Sequence, residues 1–183
     1  ALRSELAQGR NVIVFVWHTA LLDRYARLFA PIGKTVVLSA DRVPTSKREA
    51  WIDKEVVKAG CRILLVNPAT VQTGLNNLTH FSTAIWAENA HCDPTIKRQA
   101  DGRIDRIGQR LPVKIQTLIY GDSFGICQKM QDLLSAKIVV SRQVDGLDTT
   151  AALNMVGGGS GEGSLIAAMN IGKVLAMHLH MED

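Results

Sequence analysis

An α/β fold, with a mostly parallel central sheet of about five or more strands flanked by helices, is what this sequence predicts. Three observations lead there. The first apolar run, Asn11 to Trp17 (NVIVFVW), is continuous rather than alternating, as a strand covered on both faces must be. Runs of that kind recur with helical segments between them, which implies parallel strands joined by crossovers. A length of 183 residues, 46% hydrophobic and 21% charged, is enough for one sizeable core.

The elements follow in order. After the first strand, Thr19 is placed to cap a helix over Ala20 to Ala30, where Leu21, Leu22, Tyr25, Leu28 and Phe29 recur at helical period. Pro31 and Gly33 end it. Lys34 to Ser39 reads as a second strand, Lys47 to Ala59 as a helix and Arg62 to Val66 as a third strand. Ala84 to Glu88 (AIWAE) and Val113 to Tyr120 (VKIQTLIY) supply two more. Phe124 to Ile138 is helical, with Ile126, Met130, Leu133 and Leu134 on one face. The predicted organisation is a domain over 1–145, a Gly-rich linker over 146–163 and a C-terminal helix or tail over 164–183.

Between the last two strands lies the most informative stretch, Lys97 to Arg110 (KRQADGRIDRIGQR). Gln99, Arg103, Arg106 and Arg110 fall at i, i+4, i+7 and i+11. On one continuous helix they form a single polar stripe, with Ile96, Ala100, Ile104 and Ile107 as the apolar stripe that seats it. Planar, permanently charged guanidinium groups one turn apart suit charge developing on a transferring phosphoryl group. Spacing alone is also met by an ordinary solvated basic face.

Composition narrows the rest. A net charge of +4 and pI near 9.1 permit nucleic-acid binding without requiring it. Cys61, Cys92 and Cys127 are scattered and outside any metal-ligand spacing, so reduced thiols, a cytoplasmic location and no bound metal are expected. The chain opens at Ala1 without a secretion leader, and it is expected to begin within a longer protein. No apolar run approaches the roughly 18 residues of a membrane span. Two glycine signals are set aside. Gly33-Lys34-Thr35 lacks the earlier glycine of a phosphate loop and reads as a turn entering a strand, and Gly157 to Gly163 (GGGSGEG) has no Lys-Ser or Lys-Thr after it.

The segment QADGRIDRIGQ resembles motif VI of the superfamily-two helicases, in the form QAxGRxxRIGQ carried by the Swi/Snf-like translocases and their phage and bacterial relatives. The resemblance extends over roughly residues 10 to 145. Val12 to Thr19 (VIVFVWHT) resembles motif IV, Pro44 to Arg48 (PTSKR) the basic signature that follows, and Ala69 to Leu78 (ATVQTGLNNL) motif V. It implies a second, C-terminal RecA-like lobe, three-layered, that closes over ATP and Mg2+ held by an N-terminal lobe; the chain alone is expected to hold no cofactor and to be inactive.

By the same resemblance Arg103 and Arg106 are arginine fingers and Gln99 contacts phosphate or an attacking water. Gly74, Asn76 and Glu88 fall at the nucleotide site. His18, Thr19, Arg48, Thr70 and Thr73 fall on the nucleic-acid backbone, DNA ahead of RNA, and the other expected partner is the first lobe, with no membrane. Thr70 and Thr73 offer short hydroxyl donors, and Gly74 permits close backbone approach. Three positions depart from the family pattern: Asn76-Asn77 is doubled, Cys92-Asp93-Pro94 stands where Trp-Asn-Pro is common, and Asp105 replaces a frequent histidine. Asp105 is expected to pair with a neighbouring arginine. A non-catalytic nucleic-acid or protein-binding module is the alternative, and a self-contained nucleotide enzyme would need a glycine-rich turn where His18-Thr19-Ala20 stands.

Overall fold

The computed structural model describes residues 1–72, 75, 77–88, 93–120 and 125–144, with side chains left out at 126 and 141–144. The predicted linker and C-terminal helix, together with Thr73, Gly74, Asn76 and Cys92, lie outside them. Two compact units are present, and the larger contains the sheet.

Five parallel strands form that sheet: β1 (Val12–Phe15), β2 (Thr35–Leu38), β3 (Ile63–Val66), β4 (Thr83–Trp86) and β5 (Lys114–Thr117), in the order β2-β3-β1-β4-β5. Val12 pairs with Ile63 on one side and Thr83 on the other, so β1 sits at the centre. Every residue of β1, β3 and β4 is buried, which is why their sequences run apolar without alternation. Each large apolar side chain so enclosed contributes roughly 1.5–3 kcal/mol.

From β1 the chain steps to β2, and from β2, β3 and β4 it steps in the opposite direction. Right-handed crossovers then place the helix after β1 on one face and the later connections on the other. Helices α1 (Leu2–Ala7) and α2 (Thr19–Phe29) cover the first face, where Val12, Val14, Ile63, Leu65 and Ile85 meet Leu2, Leu6, Leu22, Tyr25 and Phe29. Alternation sends Ile13, Phe15, Leu64 and Trp86 to the other face. There Phe15 and Trp86 stack with ring centroids 4.5 Å apart.

Several expected details change. His18, not Thr19, is the N-cap of α2, and its side chain makes no capping bond; Thr19 is already helical. The predicted 47–59 helix is a short turn of α-helix, α3 (Arg48–Trp51), continued by a π-wound segment Ile52–Lys58. Two helices went unpredicted. Asn67 caps α4 (Pro68–Val71), its side-chain oxygen accepting from the Ala69 N–H, with Pro68 at the first position. The helix α1 is six residues long and is held by Glu5, which is 1% exposed and receives Lys114, Gln116 Nε2 (2.9 Å), Thr83 Oγ1 (3.1 Å) and Arg10 Nε (3.3 Å).

The arginine-bearing segment departs most. Helix α5 spans Pro94–Asp101 and stops there, so the single polar stripe through Arg110 does not form. Asp101 pins the helix end to β4, accepting from Trp86 Nε1 and from Lys97 Nζ, both at 2.9 Å. Gly102 follows, where a Cβ would lie 3.1 Å from the Arg98 carbonyl. Successive tight turns then carry the chain to Gly108, whose φ of +100° reverses it. Ala100 and Ile104 remain in the core, whereas Ile107 leaves the apolar stripe and is fully exposed.

The second unit contributes α6 (Ile126–Val144), in which Met130 and Leu133 are half-buried and Leu134 is buried. No helix among the described residues is long and apolar enough to cross a membrane. Cys61 and Cys127 are free thiols, and burial pushes the Cys61 thiol up from its ordinary value.

Candidate functional site

Outside the carboxyl ends of β1, β2 and β3 lies a cleft of about 670 Å³, lined among others by Thr19, Asp23, Asp41, Arg42, Arg48 and Thr70. This is where parallel α/β sheets take ligands, because loops leaving neighbouring strands for opposite faces part there. Three of the residues assigned by resemblance to the nucleic-acid backbone, Thr19, Arg48 and Thr70, meet in it. Asn67 braces the floor, donating from Nδ2 to the Trp17 carbonyl at 2.6 Å while capping α4.

Arg48 needs correction as an outward-facing contact. It is 6% exposed, and its guanidinium donates to the Val43 carbonyl at 3.1 Å and the Thr70 carbonyl at 2.9 Å. The block Pro44 to Arg48 is a solvated helix start, exposed over 44–47 and leading by a 3-10 turn into α3, in which the arginine alone turns inward and joins the β2 loop to α4. Thr70 is buried as well, whereas Thr19 is exposed.

Next to the cleft, Glu88 joins the ends of β1 and β4. Its carboxylate accepts from the Trp17 N–H at 2.6 Å, the His18 N–H at 2.8 Å and His18 Nδ1 at 2.6 Å. Burial raises this carboxyl, and the His18 and Trp17 donors outweigh it, so the group is held below its ordinary value and is ionised at neutral pH. His18 keeps its ring exposed beside it. Glu88, assigned to the nucleotide side, and His18, assigned to the nucleic-acid side, are thus one hydrogen-bonded pair.

A second constellation is built from the turns after α5. Arg103 is half-buried and donates through Nη2 to the Gln72 carbonyl and through Nη1 to the Leu75 carbonyl at 3.4 Å. It thereby bridges the motif VI-like segment to the motif V-like one. Gln109 closes the same loop from its far end, donating to the carbonyls of Phe81 (2.8 Å), Ile104 (3.1 Å) and Thr79 (3.2 Å) and accepting from the N–H groups of Arg110 (2.9 Å) and Leu111 (3.2 Å). Arg106 is exposed on the turn between these two anchors, and Gln99 is exposed on α5. Asp105 is exposed and forms no ion pair among the described residues, against the expected pairing.

Of the doubled asparagines, Asn77 donates to the Glu49 carbonyl at 2.9 Å and to Asp53 Oδ1 at 2.6 Å, so it is engaged with the π-wound helix. Thr73, Gly74 and Asn76 lie outside the described residues. Gln109, Asn67 and Asp101 were missed as organising residues. The Asn67-Pro68 pair carried a readable cap signal, and Gln109 is the last letter of the motif itself, whereas nothing local marks Asp101 as the partner of Trp86. Lys34-Thr35 does enter β2, at the end of the sheet opposite the cleft.

No family model matches the chain, and no curated protein matches it. Among solved structures, the crystal structure of the C-terminal part of the Fun30 ATPase domain is similar, at 26% identity over 71% of this chain with a TM-score of 0.63; the match spans 41% of that structure's chain. The C-terminal domain of the DEAD-box protein Dbp5 matches 71% of this chain and 76% of its own at 20% identity and a TM-score of 0.48. The five-stranded parallel sheet flanked by helices is the fold of a RecA-like helicase lobe.

Proposed function

We propose that this chain is the second motor lobe of an ATP-dependent nucleic-acid translocase of the Swi/Snf-like or phage and prokaryotic branch, completing an ATP site whose phosphate loop and Mg2+ ligands belong to a first lobe. The observation that carries the reading is the Arg103 bridge to the Gln72 and Leu75 carbonyls, which sets the motif VI-like segment against the motif V-like one in a fold similar to the C-terminal part of an ATPase domain.

Its own Lys34-Thr35 stands at the start of β2, away from the carboxyl ends of the strands, and cannot cradle a triphosphate there. The chemistry assigned to this lobe is electrostatic. Arg106, exposed on the turn, reaches across to the γ-phosphoryl group and stabilises charge there, and Gln99 contacts phosphate or orients a water. Arg103 acts first as the brace of that turn, so that Arg106 and the motif V-like loop move together. Asn77 is tied to the helix; Asn76 and Gly74 are given to the nucleotide side by the resemblance alone. The pair of Glu88 and His18 fixes the end of β1 next to Thr19, and Thr19, exposed at the cleft, follows a backbone of DNA ahead of RNA. Such binding is sequence-independent and weakens steeply with salt.

The test is Arg106→Ala in the full protein, with hydrolysis and DNA binding measured separately. Hydrolysis falls by orders of magnitude while binding at low salt is retained. Hydrolysis left intact sinks the motor reading. The engagement of Arg103 and Arg48 with their own lobe's carbonyls favours a second reading, a clamp without catalytic part; for it, binding falls and hydrolysis is unchanged.

A further inference from the structure

At the mouth of the cleft, Arg42 Nη2 meets Asp23 Oδ1 and Oδ2, each at 2.9 Å, with the two side chains 52% and 61% exposed. This pair spans from α2 to the loop after β2, and no motif drew attention to it. Among the described residues lining the cleft the only cations are Arg42 and Arg48, and Arg48 is buried and committed to carbonyls. Asp23 and Asp41 balance them, two of each sign, so the cleft as it stands does not attract phosphate. Arg42 is the one lining cation that reaches solvent.

We propose that Arg42 is a backbone-phosphate contact of this cleft, held by Asp23 until a phosphodiester displaces the carboxylate. The proposal rests on the nucleic-acid reading of the cleft above. The exchange is chemically feasible: Arg42 meets both carboxylate oxygens through Nη2 alone, and a planar guanidinium can turn two of its nitrogens onto two phosphate oxygens. The exposed pair is weak enough to be displaced. Asp41 lines the same cleft beside Arg42. Thr19 then offers a neighbouring hydroxyl to the same backbone.

The experiment measures binding of the full chain to single-stranded and duplex DNA and to RNA across a salt series, for wild type, Arg42→Gln, Asp23→Asn and the double variant, with circular dichroism showing that each folds. Arg42→Gln weakens binding and lowers the salt slope by about one. Asp23→Asn tightens it by about two- to fivefold, and the double variant behaves as Arg42→Gln. Unchanged binding in Arg42→Gln overturns the assignment while the cleft reading stands. A double variant tighter than Arg42→Gln shows that Asp23 acts only through the general field and also overturns it. Polyglutamate competing as well as DNA of equal charge overturns the phosphodiester assignment. Wild type binding neither DNA nor RNA removes the cleft reading and the proposal together.

Discussion

Two arginine-bearing stretches, 44–48 and 99–110, look alike as sequence and are used alike only in part. Each turns one arginine inward onto two backbone carbonyls: Arg48 onto Val43 and Thr70, in two different segments, and Arg103 onto Gln72 and Leu75, in one. In the first stretch nothing else cationic reaches the cleft, and Arg42, outside the stretch, holds the mouth with Asp23. In the second, Arg106 is exposed between two anchored ends. A guanidinium with five donors is equally suited to joining backbone segments and to gripping a ligand, and burial decides which. The lesson is that exposure separates the arginines that brace backbone from the one that lies at the surface.

The contrast is tested hardest at Arg106. Arg106→Ala in the full protein should lower steady-state ATP hydrolysis by about 10³ to 10⁵, with the melting temperature of the protein unchanged; a matching loss of stability would make Arg106 another brace. Arg48→Ala should do the reverse. It leaves two carbonyls without a partner, at about 1–3 kcal/mol for each that remains dry, read as a fall in the urea midpoint at unchanged slope. A variant as stable as wild type would mean that water reaches both carbonyls.

Acid separates a third anchor from these pH-independent ones. The Glu5 carboxyl is held below its ordinary value of 4.5, chiefly by Lys114 and with Thr83 and Gln116 helping, while burial opposes. A depressed folded pKa gives stability that is complete above the unfolded value and fades as pH falls through the folded one. Thermal melts of wild type and Glu5→Gln should therefore differ at pH 7 and converge below the range where wild-type Glu5 takes up its proton. A gap that persists at low pH would assign the effect to shape instead of charge.

The smallest effect is expected at Ile107. Because α5 ends at Asp101, Ile107→Ser should change stability by less than about 0.5 kcal/mol, whereas a continuous helix to Arg110 would make it a core truncation.

What could be read from sequence follows the range of the forces involved. The inner strands β1, β3 and β4 were legible because a doubly covered strand must be largely apolar, a constraint written in consecutive residues such as Val12 to Val16. Several ends were read too long, most of all at β5, where Leu118, Ile119 and Tyr120 prolong the apolar run beyond the strand and are exposed. The helix α1 was missed because LRSELA has no cap or period to show, and Glu5 draws its partners from residues 10, 83, 114 and 116. The motif was found where it lies, but its helical spacing misled. Asp101 answers to Trp86, and Gly102 and Gly108 break the turn pattern that Arg103 and Arg106 alone would suggest. For the candidate site, sequence could nominate residues but not their orientation. Which arginine faces inward depends on carbonyls some thirty positions away.

The Glu5 anchor has a mechanical consequence. The amino-terminal helix is tied by side chains directly to the edge strand β5, which the chain enters straight from the loop that carries Arg106. A pull on residue 1 is therefore delivered to the edge strand β5 without first peeling β1 from its neighbours, and it arrives one short loop away from the exposed arginine.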